Sequence, residues 1–247
     1  MSFAFKSIVI LFLMVFISGC INPQAVNQYT DNRGSYLVKR SDTLYSIAWR
    51  YGLDYRELAQ WNQIAVDATI YPGQRLILIR PSSSELPTQS NQPREQSSQS
   101  FEDSADTAGN SQQSASVSAF QGNDPRSWLW PTEGRLISTF SAKQLDRRGI
   151  DIGGKLGQPV VAVADGKVVY SGNGLAGYGN LIIIKHSDTY LSAYAYGQQR
   201  LVEEGTTVEA GKVIAKMGNL KTSTARLHFQ IRKNGKPVDP LRFLPER

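Results

Sequence analysis

Two histidines and one cysteine are the whole stock of imidazole and thiol in this 247-residue chain. Imidazole is the side chain whose ordinary pKa lies nearest neutrality, so His186 and His228 leave little material for histidine-based acid–base or metal chemistry. His228 stands in Arg226-Leu227-His228-Phe229, downstream of Arg147-Arg148-Gly149-Ile150-Asp151 and of Tyr194-Ala195-Tyr196. A guanidinium has no lone pair to give a metal, and a phenol with a reference pKa near ~10 is a poor base at neutral pH. Arginine therefore brings fixed positive charge to the segments that hold Asp151 and His228.

The cysteine, Cys20, excludes an intrachain disulfide and sits where compartment is decided. Lys6 precedes ten apolar residues, Ile8 to Ile17, followed by Ser18-Gly19-Cys20. Ten apolar residues are too few to span ~30 Å of hydrocarbon as a helix, so residues 1–19 are expected to be a signal peptide. The junction resembles a bacterial lipobox, which implies cleavage before Cys20 and lipidation of it. Acyl chains contribute ~0.8 kcal/mol per buried methylene, enough for stable membrane anchoring. Ile21 stands where an Asp would resemble an inner-membrane retention signal, so the expected location is the outer membrane, facing the periplasm. Residues 20–35 follow as a polar tether. The net charge of +6 is uneven: residues 128–247 hold 17 Lys/Arg against 10 Asp/Glu, and residues 81–127 hold 2 against 6. A basic C-terminal region favours an acidic partner. No nucleic-acid motif is present, and an export signal points instead to anionic cell wall or an acidic protein surface.

The elements that position these residues fall into two blocks. In residues 36–80, Tyr36 to Val38 suggests a strand, and Ser41-Asp42 a helix N-cap. Leu44, Ile47, Ala48 and Tyr51 follow at helical spacing before Gly52. Asp54 with Glu57 approximates a capping box for a second helix bearing Leu58 and Trp61. Tyr71-Pro72-Gly73-Gln74 is a turn, and Leu76 to Ile79 closes the unit as a strand. This βααβ order, with Asn62 and the run Ile70 to Gln74, resembles a LysM domain. The resemblance implies binding of N-acetylglucosamine-containing glycans such as peptidoglycan. It places the glycan contacts at Ser41, Asp42, Thr43, Leu44, Ile70, Tyr71 and Pro72, some of which would also serve the core.

Ser, Gln and Pro fill 24 of the 47 positions from 81 to 127, too little apolar matter to offset ordering entropy. A disordered linker is expected there, with a reach of ~40 Å that would let the flanking units engage separate targets. Residues 128–247 open with Trp128-Leu129-Trp130-Pro131 and then favour strands. These are expected over 135–140, 159–163, 167–171, 181–186, 190–195 and 227–232, with a hairpin turn at Asn234-Gly235. An antiparallel β domain with a groove is predicted.

That block resembles the lysostaphin/LytM-type zinc metallopeptidases. The markers include Gly149-Ile150-Asp151-Ile152, Ala164-Asp165-Gly166-Lys167-Val168-Val169, Gly177-Tyr178-Gly179-Asn180, Ile184-Lys185-His186 and Leu227-His228-Phe229. The resemblance implies three ligand positions, Arg147, Asp151 and His228, and two assisting positions, Tyr196 and Arg226. A catalytic zinc needs about three protein ligands and an open position, and only Asp151 and His228 remain. No metal, cofactor or catalytic residue is therefore expected. His186 matches a family histidine outside the metal triad, with a structural role. Arg147 or Arg226 is expected to pair with Asp151; the competing expectation turns Arg147 to solvent and makes Asp151 a turn cap.

Taken together, the lipobox, the LysM unit, the linker and the degenerate LytM domain resemble the NlpD/YgeR-type murein hydrolase activators. That implies a non-enzymatic lipoprotein that switches on periplasmic N-acetylmuramoyl-L-alanine amidases in cell separation and wall remodelling. The partner surface would be a converted groove of Arg147, Arg148, Asp151, Tyr196, Arg226 and His228. A passive peptidoglycan tether and a residual zinc endopeptidase are the alternatives.

Overall fold

Thr43, not Ser41-Asp42, starts the first helix. Its Oγ1 accepts from the Ser46 amide at 3.0 Å while Ser46 Oγ accepts from the Thr43 amide at 2.9 Å, a reciprocal capping box. Asp42 is unavailable for that role, because its carboxylate accepts from the Tyr36 hydroxyl at 2.6 Å and the Lys39 amide at 2.8 Å. The computed structural model describes residues 34–81, 120, 122–144, 147–220 and 222–247. The expected signal peptide, Cys20 and its tether up to residue 33 lie outside the described residues, as does the linker expectation for 82–119 and 121.

The small unit runs β1 (Ser35–Leu37), α1 (Leu44–Tyr51), α2 (Tyr55–Trp61) and β2 (Arg75–Ile77), with β1 and β2 antiparallel. Gly52 ends α1 in the left-handed conformation at φ 69°, which glycine adopts without steric cost. Asp54 caps α2, and Arg56 rather than Glu57 answers it: Asp54 Oδ1 accepts from both the Arg56 amide and its Nε. Tyr36, Ile47, Leu58 and Leu76 are fully buried between the helices and the ribbon.

The larger unit is a ten-stranded antiparallel sheet. Its strands are β3 (Leu136–Ser138), β4 (Ile150–Gly153), β5 (Pro159–Val161), β6 (Gly166–Gly172), β7 (Asn180–Lys185), β8 (Tyr190–Arg200), β9 (Thr207–Val208), β10 (Val213–Met217), β11 (Arg226–Lys233) and β12 (Lys236–Val238). The spatial order is β3-β4-β11-β8-β7-β6-β9, with β12 beside β11 and β10 joining β5 to β8. The β11–β12 connection is the expected Asn234-Gly235 turn, both residues at positive φ (48° and 72°). A 3-10 turn at Pro240–Arg242 follows.

Side chains alternate across β7, β8 and β11. Ile182, Ile184, Tyr194, Leu227, Phe229 and Ile231 enter one core with Trp128 and Val208. Leu181, Ile183, Leu191, Ala193 and Ala195 face the other way, and the small unit covers them in a second cluster with Trp49, Tyr55 and Leu58. A sheet covered on both faces reads as a continuous apolar run rather than an alternation, which is why Leu181 to Ile184 are all apolar.

The contact between units is specific as well as apolar. Arg232 is 1% exposed, lies over the Trp49 ring at 3.6 Å, and donates to the Trp49 carbonyl at 3.0 Å. Thr43 Oγ1 donates to the Val169 carbonyl at 3.2 Å, Arg50 to the Gly174 carbonyl at 3.3 Å, and Arg56 to Asn234 Oδ1 at 2.9 Å. So the units, expected to act at separate targets, are in contact here. Of the expected linker, the described residues 122–127 adjoin the sheet, where the Ser187 hydroxyl donates to Asp124.

Candidate functional site

The pairing of β4 with β11 sets Asp151 directly opposite His228, and β8 sets Ala195 opposite His228 on the other side. This register gathers the residues of the expected groove, because same-face residues of three adjacent strands are then neighbours. His228 Nδ1 lies 2.6 Å from Asp151 Oδ1, and the Arg226 guanidinium pairs with Asp151 Oδ2 at 3.5 Å. The expected counter-cation of Asp151 is therefore Arg226. The Arg147 side chain instead donates to the Thr139 carbonyl at 3.0 Å and to Gln144 Oε1 at 3.1 Å. Asp151 is held inside a strand by these partners rather than capping a turn.

Tyr196 completes the patch. Its ring packs against His228, centroids 5.3 Å apart, and the Arg226 guanidinium lies 5.1 Å from the ring centroid. Tyr196 sits at φ 66°, a left-handed conformation that is uncommon for a bulky residue. Its amide donates to the Tyr178 carbonyl at 2.9 Å, which holds this strained residue inside β8, where the pairing with β7 shifts register. Strain of this sort persists only where surroundings impose it, and it aims the ring over His228.

Gln230 was not foreseen. It lies two residues beyond His228, hence on the same face of β11, and its Nε2 is 2.8 Å from His228 Nε2. With Gln230 donating there, Nδ1 carries the imidazole proton and donates to Asp151. The period-two rule applied outward from His228 is the sequence signal that would have found it. Arg232, two residues further along the same face, is equally legible by that rule but has no partner in the sequence to suggest a role, and Tyr178, in the turn before β7, is beyond the reach of the rule.

Five of the six groove residues thus divide cleanly. Asp151, His228, Arg226 and Tyr196 form one contiguous patch, while Arg147 turns to the β3 side. Arg148, the sixth, faces the small unit: a β-carbon on Gly52 would lie 3.8 Å from its Nη1. Burial pulls the Arg232 guanidinium down to about 10, and Arg148 nearby adds to that, while the Tyr178 hydroxyl opposes it. His186 lies elsewhere. It is 1% exposed, with Nδ1 2.7 Å from the Asp165 carbonyl, Nε2 2.7 Å from Ser192 Oγ, and Trp128 packed on its ring. That is a structural role.

The donor set does not fit a catalytic zinc. The two side chains able to bind a metal, Asp151 and His228, face each other within hydrogen-bond distance, and Arg147, at the position expected for a third ligand, is a guanidinium that cannot coordinate. A second guanidinium, Arg226, lies against the carboxylate. Among the described residues no cluster of three or more His, Cys, Asp or Glu is placed to hold a metal.

The residues expected to contact glycan in the small unit differ in burial. Ser41, at φ 66°, and Pro72 are exposed, and Tyr71 is 66% exposed. Leu44 and Ile70 are buried at 3% and 9% and serve the core, yet both also line a cavity of about 240 Å³ with Asp42 and Thr43. Tyr71 is oriented by Gln74, whose Oε1 accepts from the Tyr71 amide at 3.1 Å.

Comparison with known proteins agrees with both units. Residues 36–78 match the LysM domain family, and residues 146–240 match peptidase family M23. The chain is 42% identical to the murein hydrolase activator NlpD of Escherichia coli, covering 86% of this chain and 68% of that one. It is 40% identical to the lipoprotein NlpD/LppB homolog of Pseudomonas aeruginosa, covering 91% and 82% respectively. It is 39% identical to the uncharacterized lipoprotein YgeR of E. coli, covering 97% and 94%. With these identities spanning both domains, the chain belongs to the NlpD/YgeR family of lipoproteins, built from a LysM domain and an M23 peptidase-type domain.

Proposed function

We propose that this protein is a non-enzymatic lipoprotein, anchored through Cys20 in the outer membrane and facing the periplasm. It binds peptidoglycan through its LysM domain and activates an N-acetylmuramoyl-L-alanine amidase through the converted groove. The observation that carries this reading is the Asp151–His228–Arg226 cluster. The surviving ligands satisfy each other and a fixed cation, so the groove is stable without metal and offers no activated water. The name of the relative NlpD, murein hydrolase activator, supports the activating role.

The groove residues suit a protein partner. Arg226 and Tyr196 present a stacked cation and aromatic surface over the buried His228, the residue types enriched where binding energy concentrates. Activation requires that the groove bind an open amidase more tightly than a closed one. Full reversal of a mostly closed population needs ~5.5 kcal/mol of differential binding, which a patch of side chains already held in place by one another can supply with little ordering cost of its own.

The test incubates the purified protein with labelled peptidoglycan, alone and with a purified periplasmic amidase. No label release alone, and a faster amidase in its presence, are expected. Release by the protein alone would return the groove to peptidase chemistry, and an unchanged amidase rate would leave a passive tether. Arg226→Glu reverses the charge beside Asp151 and is expected to abolish activation while peptidoglycan pull-down persists.

A further inference from the structure

The cavity of about 240 Å³ beside α1 has two walls from two domains. One wall is the pair of LysM loops carrying Asp42, Thr43, Leu44 and Ile70. The other is β6 of the M23-type domain, at Lys167 and Val169, with the turn at Glu204-Gly205. The two walls are tied together at their base, where Thr43 Oγ1 donates to the Val169 carbonyl. The LysM loops therefore do not open onto bulk solvent on this side. Anything bound against Thr43 and Ile70 also meets β6.

The chemistry of the second wall suits a sugar. Val169 adds apolar surface opposite Leu44 and Ile70, the kind that packs on the face of a pyranose ring. Lys167 and Glu204 add a donor and an acceptor at its edge, and among the described residues neither is engaged in an ion pair. The other cation of the cavity, Lys185, is different: it is 2% exposed, pairs with Asp188 at 2.6 Å and lies over the Tyr55 ring, so it holds the domains together. A concave site with apolar walls and a few placed polar groups is the ordinary form of a small-ligand site.

We propose that the glycan cleft is shared: an N-acetylated amino sugar sits between the LysM loops and β6, with Lys167 and Glu204 hydrogen-bonding its hydroxyl and acetamido groups. This rests on the reading of the LysM domain as the glycan-binding unit, and adds the M23-type domain to the site. Binding then couples the two domains, because the ligand bridges them.

The test titrates full-length protein with the N-acetylglucosamine tetramer by calorimetry. Lys167→Ala with Glu204→Ala is expected to weaken binding by about tenfold or more, the scale of hydrogen bonds to charged groups. Lys212→Ala, exposed and outside the cavity, is expected to bind as wild type. In the wild-type complex, nuclear Overhauser contacts from the acetamido methyl to the Val169 methyls are expected. A double variant with undiminished affinity, or a complex without contacts to Val169, would show that the LysM loops bind alone and overturn the shared cleft. Wild-type protein that fails to bind the tetramer at all would overturn the glycan-binding reading itself, and the shared cleft with it.

Discussion

His228 and His186 are the two imidazoles of the chain, and the strands around them give them opposite fates. His228 keeps a partner on each ring nitrogen, Asp151 at 2.6 Å and Gln230 at 2.8 Å, at the edge of a groove. His186 is sealed beneath Trp128, and burial lowers its pKa from 6.5 to about 4, opposed only in part by the Asp165 carbonyl and the Asp165 charge. The sign of its pH dependence follows. At pH values well above 6.5 the ring is neutral in both folded and unfolded chains and contributes nothing. As pH falls below 6.5 the unfolded chain takes a proton that the folded chain refuses, so stability is lost progressively toward pH 4. From about pH 7.5 to about pH 5 that loss is about 2 kcal/mol. His186→Gln is expected to flatten this part of the stability profile, measured as urea midpoints across the range. A variant with the same slope as wild type would place the acid sensitivity on other groups.

At the scale of elements, much was legible because local chemistry was unambiguous. Gly52 as a left-handed cap and Asn234-Gly235 as a hairpin turn follow from a backbone conformation that few residues accept, and Asp54 as an N-cap from a carboxylate that accepts from the Arg56 amide. Asp42 and Thr43 are both competent caps for α1 by sequence; the Tyr36 hydroxyl on β1 takes Asp42 and leaves the cap to Thr43. The short strands β9 and β12 carry too few residues for any period to show; β12 is set by the hairpin that returns it onto β11, whereas the pairing of β9 with β6 is set by a neighbour distant in sequence. The docking of the two domains was written only indirectly, in the unbroken apolar run of β7. Its tightest point is Gly235, where a β-carbon would come within 2.6 Å of the Asp54 and Leu53 backbone, at φ 72°. Gly235→Ala is expected to act as a wedge costing about 1–3 kcal/mol at the turn, and to break the adjacent Arg56–Asn234 contact. Small-angle scattering would then report a larger radius of gyration while the β-sheet circular dichroism persists; an unchanged radius would mean the turn relaxes without releasing the LysM domain.

At the scale of the whole molecule, the docked arrangement makes two domains into one thermodynamic unit. Leu181, Ile183, Ala193 and Ala195 lose their cover if the LysM domain leaves, and Trp49 and Tyr55 lose theirs. Arg232 gains water but forfeits the Trp49 ring and carbonyl. Domains sharing a buried cluster unfold together, whereas tethered domains with separate cores unfold in separate steps. A single calorimetric transition is therefore expected for the full chain. The shared glycan cleft adds a sharper expectation, since a ligand that contacts both walls stabilises only the docked form. At a free tetramer concentration about 100 times its dissociation constant, the stabilisation is about 2.7 kcal/mol. That increment belongs to the common transition, so near-ultraviolet circular dichroism of the sheet aromatics is expected to shift upward in temperature with the LysM signal. By reciprocity, docking strengthens tetramer binding by the factor by which the tetramer favours docking, so Gly235→Ala, which undocks the domains, is expected to weaken tetramer binding in proportion to the docked fraction lost. Two resolved transitions, with the tetramer moving one and leaving the sheet aromatics where they were, would mean that glycan capture and the groove are not energetically joined.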